Sequence, residues 1–378
     1  MILSTEGSAV TERLLYRKDF ENIIAGATLL GSGGGGSPKG GMDLINSALS
    51  EPSKAVRLVS ADSAPDTDMV VMVAGIGSPL AFLKKGFDVE AVHAFDAMER
   101  LYMMAGQRAS FLVPGEIGGF NLVTPMYVAV KKNVPVIDAD GNGRAVPELE
   151  TSLWPLYGIP SSPCVLADKK GNVVILYTRD PLDSATCELV ARYVTAAFEN
   201  TCAFATWTMN VKSLREVSVL NSVTRCESIG KAINAAVTAA RDPVNAAVEA
   251  SSGYELIRGI IADITTKTVT GFDFGTTMIE GVGKYKGKKM KIDYKNENMI
   301  AWKEEGQPAA TVPDLICLMT TKGEPLTNAD TKKGMEIAVI GIPAPDKWRK
   351  HPRGFEVWRH IIEKMGFTES YKPIEKLI

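Results

Sequence analysis

Four charged side chains follow a short apolar run in the stretch VPVIDADGNGRAVPE, residues 134–148. They are Asp138 and Asp140 at the end of the run, Arg144 in a Gly-x-Gly-Arg turn, and Glu148. The apolar run predicts a buried strand that stops at a sharp turn. Because a buried carboxylate without a partner is very costly, these charges must face a cleft or meet partners. The sequence therefore predicts one wall of a site here.

The spacing of the two aspartates suggests acid/base chemistry. Residues at i and i+2 share a face of a strand, so Asp138 and Asp140 could share a proton or hold a cation. A carboxyl group that shares a proton is a candidate general acid or base. Arg144 would neutralise one carboxylate or orient an anionic substrate, with Glu148 as a further orienting partner. The alternative is a structural network of ion pairs at a turn.

A second candidate acid, Glu116, lies in the loop PGEIGGFN after another apolar run. Glycines on both sides, among them Gly118 and Gly119, allow unusual backbone conformations that could aim this carboxylate into a pocket. Asn121 could donate a hydrogen bond to a carbonyl or a developing oxyanion. The alternatives are an exposed acid in a turn, and an asparagine that only caps the following helix.

Two glycine-rich loops could bring the backbone close to a ligand. The run at residues 31–36 formally fits GxGxxG, but the segment before it reads as a helix, which argues against a dinucleotide-binding strand–loop–helix unit. Its N–H groups could still converge on an anion, with Lys39 nearby, or the run could be a flexible connector. The second loop follows the apolar run MVVMVA and could contact substrate or be a plain tight turn. The predicted substrate-binding glycines are Gly33, Gly34, Gly35, Gly36, Gly75, Gly77, Gly118 and Gly119.

Helices and buried strands alternate through the first half of the chain. This order predicts an α/β fold with a mainly parallel sheet and helices packed on it. The predicted helices are Asp19–Leu30, Met42–Leu49, Asp88–Met104 and Pro125–Lys132; the predicted strands are Ala55–Val59, Met69–Ala74, Ala109–Val113 and Val134–Asp138.

The second half has a different character. Helices are expected within residues 183–240, and short alternating strands with glycine turns predict an antiparallel β-rich part at residues 253–345. We therefore expect an N-terminal α/β domain at residues 15–170, carrying the glycine and acid motifs, and a C-terminal α+β domain at residues 171–378.

Composition excludes several classes of protein. The net charge of −2 gives no field to attract nucleic acid, and no apolar run reaches the roughly 20 residues of a membrane span. Five scattered cysteines without a CxxC pair fit a reducing compartment. The N-terminal residues lack the pattern of a signal peptide, so a cytoplasmic location is expected. Three histidines without a zinc-like cluster predict no metal site of that kind.

Six motifs along the chain resemble the family once catalogued as domain of unknown function 917. In order they read GATLLGSGGGGSP, VAGIGSP, GEIGGFN, DADGNGRAVPEL, YKNENMIAW and TVPDLICLM. The likeness extends from about Asp19 to about Trp348, and the family is associated with S-methyl thiohydantoin desulfurase. It implies an N-terminal α/β domain with the glycine and acid motifs and a C-terminal domain with a β-rich swivelling part.

The resemblance implies a hydrolase that acts on a small cyclic imide or thiohydantoin-type ring and releases a thiol. Glu116, Asp138, Asp140 and Arg144 would then be catalytic, and the glycine loops, Asn121 and Glu148 would bind the substrate. We expect a homo-oligomer with no cofactor, although the acids could hold a divalent ion. Two alternatives are a non-catalytic accessory subunit of a hydantoinase or oxoprolinase-type system and, less favoured, a nucleotide-dependent enzyme.

Overall fold

The computed structural model describes residues 11–77, 82, 85–269, 271–304 and 306–378. Ser78 and Pro79 of the second predicted glycine loop lie outside these ranges. The chain divides into two compact units. The first contains residues 1–21, 36–142 and 148–224, and the second contains residues 22–35, 143–147 and 225–378. Among the described residues, no helix has both the length and the apolar character that a membrane crossing requires.

An eight-stranded mixed sheet forms the centre of the first unit. Its strand order is β1-β2-β5-β4-β3-β9-β7-β8, and a separate pair joins β6 to β10. The strands are β1 Glu12–Leu15, β2 Val56–Val59, β3 Met69–Gly77, β4 Ala109–Val113, β5 Val136–Ile137, β6 Ala139–Asp140, β7 Cys164–Ala167, β8 Val173–Leu176, β9 Thr201–Asn210 and β10 Val219–Leu220.

The four central strands β2, β5, β4 and β3 run parallel, as the alternation of helices and strands predicts. β1 adds to β2 antiparallel, and β9, β7 and β8 extend the other side antiparallel. The parallel strands are buried on both faces, which explains apolar runs such as MVVMVA. The carboxyl ends of these strands therefore meet at one edge of the sheet.

Helices pack on this sheet and connect its strands. Those of the first unit are α2 Pro38–Ala48, α3 Val89–Met104, α4 Thr124–Lys132, α5 Leu153–Leu156, α6 Ser184–Ala197 and α7 Val211–Val217, while α1 Phe20–Leu30 and α8 Ser222–Thr238 each begin in the first unit and continue into the second. α2 begins four residues before the predicted start, because Ser37 caps it by accepting a hydrogen bond from the Gly40 N–H (3.2 Å). α8 begins at Ser222, within residues 183–240, where helices are expected.

The second unit is built on an eight-stranded antiparallel sheet of order β15-β14-β13-β12-β11-β18-β16-β17. Its core includes Ile261, Ile279, Ile292 and Val339, all fully buried. The strands are β11 Tyr254–Val269, β12 Phe272–Gly281, β13 Lys289–Lys295, β14 Glu297–Lys303, β15 Pro308–Thr311, β16 Leu315–Thr320, β17 Pro325–Leu326 and β18 Glu336–Ile342; the other helices are α9 Pro243–Ser251, α10 Asp346–Lys350 and α11 Arg359–Ile362.

The predicted fold class is confirmed: an α/β part with parallel strands and helices, followed by an antiparallel β-rich part. The sheet of the first unit is mixed, because antiparallel strands are added on both sides of its parallel centre. The predicted strand Val134–Asp138 is shorter than expected. Only Val136–Ile137 belongs to the main sheet, and the chain then leaves it so that Asp140 pairs with Val219.

Candidate active site

Glu116 and Asn121 lie in the loop that follows β4, beside the carboxyl end of β3. The Asn121 Nδ2 donates to Glu116 Oε1 (2.7 Å), and the Asn121 Oδ1 accepts from the Gly75 N–H (3.4 Å). Glu116 is partly exposed, so its carboxyl group can meet a ligand. The structure therefore brings together three predicted site residues at the edge where parallel sheets commonly bind ligands.

Three phenylalanines form an apolar wall next to this group. The ring of Phe120 lies 5.4 Å from that of Phe82 and 5.2 Å from that of Phe87, between centroids. A Cβ on Gly75 would lie 3.0 Å from Phe82 and 3.2 Å from Phe120. Gly75 therefore lets the strand end approach these rings. An apolar wall beside one carboxylate and one amide suits a small apolar ring with polar edges.

The start of α2 packs against the same loop. A Cβ on Gly36 would lie 2.6 Å from the Phe120 Cβ, and a Cβ on Gly41 would overlap the carbonyl oxygen of Gly119. The carbonyl of Gly118 accepts from the Leu122 N–H (3.3 Å) and starts the following turn. Of the predicted substrate-binding glycines, Gly36 and Gly75 thus lie against Phe120, and Gly118 and Gly119 precede it in the same loop.

Gly77 ends β3 and belongs to the strand pairing. Its φ is 150°, and it lies opposite Thr201 in the ladder with β9. A Cβ there would overlap the carbonyl oxygen of Asn200. Close packing of two strands therefore accounts for this glycine without a ligand.

Asp138 and Asp140 hold the beginning of α8. Asp138 Oδ1 accepts from the N–H groups of Val223 (2.9 Å) and Thr224 (3.3 Å), and its Oδ2 accepts from the Thr224 hydroxyl. Asp140 accepts from the Ser222 hydroxyl through Oδ1. A helix N-terminus attracts negative charge, because its first N–H groups lack partners within the helix. A divalent ion bound by this pair would compete with these hydrogen bonds for the carboxylate oxygens.

Asn142 joins this turn to the Glu116 loop. Its Nδ2 donates to the Gly115 carbonyl (2.9 Å) and to Ser152 Oγ (2.8 Å), and its Oδ1 accepts from the Leu153 N–H (2.9 Å). Its own N–H donates to Asp140 Oδ2 (2.8 Å). The fully buried Asn142 therefore fixes the residue before Glu116. The sequence analysis did not single it out, although it lies inside the DADGNGR motif.

Replacing Asp138 separates the structural interpretation from the catalytic one. We expect Asp138→Asn to lower the free energy of unfolding by about 1–2 kcal/mol, because α8 loses a negative charge and a strong acceptor at its start. Urea denaturation measures this change, and kcat should stay within twofold of the unsubstituted protein. Asp183→Asn is the control, since the partly exposed Asp183 caps α6 and asparagine caps equally well. A large loss of kcat at unchanged stability would restore Asp138 as an acid/base residue.

Glu148 precedes a 3₁₀ turn at Leu149–Thr151 and lies near another acid. The Leu149 N–H donates to Glu188 Oε2 (2.8 Å), and Arg192 pairs with Glu188 Oε1 (2.6 Å). Burial raises the pKa of Glu188, and the negative charge of Glu148 adds to that effect. Glu148 thus lies beside a hydrogen bond and an ion pair that support the structure of the first unit.

Glu90 is a buried carboxyl group that the sequence analysis missed. It lies in the first turn of α3, where its Oε2 accepts from the Asp88 N–H (2.9 Å). Burial raises the pKa of Glu90. Burial also raises the pKa of Tyr127 to about 12, with the charges of Asp88 and Glu90 contributing. The signal available in the sequence was the position of Glu90 two residues after the Asp88 cap.

Arg144 belongs to the second unit and is fully buried. Its guanidinium donates to the carbonyl oxygens of Pro313 and Asp314 (both 3.0 Å) and Asn298 (3.3 Å), and it lies 5.0 Å from the ring centroid of Trp358. A guanidinium directed at backbone carbonyls organises those segments. This geometry argues against direct contact between Arg144 and a substrate.

The glycine run of residues 31–35 also lies in the second unit. The N–H groups of Gly31 and Ser32 donate to carbonyls at the end of α1, those of Ala27 (2.8 Å) and Leu29 (3.2 Å), and the Gly34 N–H donates to the Gly31 carbonyl (3.0 Å). Gly33 and Gly35 have left-handed backbones, with φ of 92° and 75°. Three of the N–H groups that the sequence predicted for an anion are therefore already used in hydrogen bonds to the backbone.

Comparison with known proteins gives two family models and a solved structure. The models, described as S-Me-THD-like N-terminal and C-terminal domains, match residues 18–178 and 182–374. An X-ray crystal structure of a protein from Chromobacterium violaceum is 24% identical, with 96% of this chain and 100% of that chain covered and a TM-score of 0.83. This likeness shows a shared fold. No curated protein matches the chain.

The two family models together span nearly the whole chain and agree with the resemblance carried by its motifs. The chain belongs to the S-Me-THD-like family, that is, the S-methyl thiohydantoin desulfurase-like proteins once catalogued as domain of unknown function 917.

Proposed function

We propose that this protein is a hydrolase that removes the methylthio group from an S-methyl thiohydantoin-type ring. Water adds to the ring carbon that carries sulfur, the C–S bond breaks, and methanethiol leaves as the carbon becomes the carbonyl of a hydantoin. The observation that carries the proposal is the partly exposed Glu116, fixed by Asn121 beside the phenylalanine wall. The family name supports the type of reaction.

Glu116 supplies the proton transfers that this reaction needs. As a carboxylate it takes a proton from the attacking water, and as a carboxylic acid it gives that proton to the ring nitrogen. The proton of the added hydroxyl then passes through the same carboxyl group to the departing methanethiolate as the carbonyl forms. The hydrogen bond from Asn121 selects one orientation of the carboxyl group. The wall of Phe82, Phe87 and Phe120 contacts the flat ring and excludes water from one side.

Asp138 and Asp140 receive structural roles in this proposal. The sequence suggested acid/base work for the two aspartates, but their carboxylates accept hydrogen bonds from the start of α8 and its turn. Through Asn142 the same turn supports the backbone of Gly115, directly before Glu116. Asp140 therefore supports the placement of the Glu116 loop, whereas Asp138 holds the start of α8.

The test is hydrolysis of S-methyl thiohydantoin by the purified protein. We expect methanethiol and hydantoin in equal amounts, with oxygen from isotopically labelled water in the product. A thiol reagent can follow the reaction with little background, because all five cysteines are buried. Activity should survive treatment with a chelator, since the proposed steps use only side chains. Ligand binding without any product would instead favour the accessory-subunit alternative.

A further inference from the structure

The edge strand β8 of the first unit is an apolar strand that lies open at the surface. The strand and the residue after it read VVILY, from Val173 to Tyr177, which are five apolar residues in succession. Val173 and Ile175 are each 41% exposed and Tyr177 is 65% exposed, and alternation along the strand places these three on one face. Within the part of the chain that the structure describes, only β7 pairs with β8. The outer side of β8 therefore presents strand backbone and exposed apolar side chains together.

The other edge strands of the two large sheets are protected in the described part of the chain. β1, at the opposite edge of the same sheet, carries the charged residues Glu12 and Arg13, and Glu12 pairs with Arg57 on β2 (3.0 Å). β15 begins with Pro308 and its other residues are buried, and β17 is two residues long and begins with Pro325. Charges, prolines and very short strands are the usual means of preventing two sheet edges from pairing. β8 has neither a charge nor a proline, so its edge is suited to pairing with another strand.

A helix beside β8 adds to this apolar surface. α6 contacts β8, and its side chains Leu189 and Tyr193 are 53% and 71% exposed, one helical turn apart. The two charged residues of α6, Glu188 and Arg192, form an ion pair with each other (2.6 Å), and Glu188 is buried. A surface helix usually carries charged residues on its outer face. The exposed residues of α6 include no charged one, which favours a covered position over free contact with water.

We propose that a second copy of this chain covers this surface, with the β8 strands of the two copies paired antiparallel across a two-fold axis. Such an isologous contact uses the same strand twice, so a strand that is apolar and open is complementary to itself. The pairing joins the large sheets of the two first units into one and gives hydrogen-bond partners to the outer backbone of both β8 strands. The exposed face of α6 extends the contact. The inference concerns assembly and does not depend on the proposed reaction.

The charges at the two ends of β8 select the register of this pairing. Residues directly opposite each other in an antiparallel pair lie on the same face of the sheet, so the two-fold axis passes through one residue. An axis at Ile175 sets Lys170, before the strand, opposite Asp180, after it, at both ends of the contact. An axis at Val174 would instead set Asp180 opposite Asp168, and like charges in opposite positions are unfavourable. We therefore place the axis at Ile175.

Analytical ultracentrifugation of the full chain at several concentrations tests the assembly, and we expect twice the mass of one chain. Ile175→Lys should raise the dissociation constant of the dimer about a hundredfold, because two ammonium groups would face each other and an apolar contact would be lost. The matched control is Leu14→Lys, since Leu14 is 46% exposed on β1, at the opposite edge of the sheet. Both positions are exposed, so both variants should fold. A monomer at every concentration, or a dimer that Ile175→Lys leaves as tight as the control does, would overturn the proposal.

Oxidative cross-linking tests the register. Directly opposite residues of an antiparallel pair have Cα atoms about 4.5–5.5 Å apart, which is within the range of a disulfide bond. Ile175→Cys should therefore give a disulfide-linked dimer when it is oxidised with copper phenanthroline, and the five native cysteines are buried. Val173→Cys is the control, because it is equally exposed on the same face but would lie about 13 Å along the strand from its counterpart. Faster cross-linking at Val173 than at Ile175, or a dimer that cross-links at neither position, would contradict the pairing.

Discussion

Glu116→Gln is expected to lower kcat for methanethiol release by about a hundredfold to ten-thousandfold while the fold is retained. Glutamine is nearly isosteric with glutamate, and its Oε1 can still accept the hydrogen bond from Asn121 Nδ2. It cannot take a proton from water. KM should change little, because the phenylalanine wall and the backbone around Gly75 are untouched. Stopped assays of thiol release measure kcat and KM, and circular dichroism checks that the fold is retained.

The control for this variant is Glu51→Gln. Glu51 belongs to the same unit, is exposed, and pairs with the partly exposed Lys54 (2.8 Å). Its replacement should leave kcat unchanged, because exposed ion pairs contribute little. If Glu116→Gln retained kcat within threefold of the unsubstituted protein, the proton transfers would have to be assigned to another residue. The buried carboxyl of Glu90 would then be the next candidate, because burial raises its pKa.

Local patterns were sufficient for most helices and strands of this chain. β4 has the predicted bounds, and α1, α3 and α4 begin within one residue of the predicted start. These segments have periodic apolar residues and clear start signals, such as proline in the first turn of α4. β7 and β8 were not predicted, because they add to the sheet through β9, whose pairing depends on residues far apart in the sequence.

The roles of the predicted acids could not be read from spacing. The sequence places Asp138 and Asp140 on one strand, which led to a shared-proton hypothesis. Their partners, Val223, Thr224 and Ser222, lie more than 80 residues later, at the start of α8. Local sequence gives the chemistry of a side chain, whereas tertiary contacts decide whether that chemistry meets a ligand or a helix terminus.

The glycine run is a second case in which tertiary contacts could not be inferred from local sequence. The glycines at residues 31–36 predicted that the backbone approaches another group closely, and Gly34 does lie against one. The group is Glu297, more than 260 residues away in the sequence. The run YKNENMIAW contained that acid, and a lysine and a glutamate two residues apart in a strand-rich region were the available signal. Their burial could not be inferred without the turn between β13 and β14.

Replacing Arg144 should affect stability more strongly than it affects chemistry. Arg144→Met is expected to lower the free energy of unfolding by about 2–4 kcal/mol, because methionine fills the space but donates no hydrogen bond to the buried carbonyls of Asn298, Pro313 and Asp314. Contact with the Trp358 ring would persist as apolar packing. Denaturant unfolding measures the loss, and kcat per folded molecule, measured at low temperature, should stay within about fivefold.

Arg359→Met is the matched control, because Arg359 also lies over an aromatic ring, Phe355, at 5.1 Å. Its ion pair with Glu356 is near the surface, so its loss should cost less than about 1 kcal/mol. The difference between the two variants isolates the buried hydrogen bonds to the backbone. If Arg144→Met were as stable as the control and inactive, Arg144 would contact substrate, as the sequence alone suggested. If it is unstable and active when folded, its guanidinium serves the architecture of the second unit.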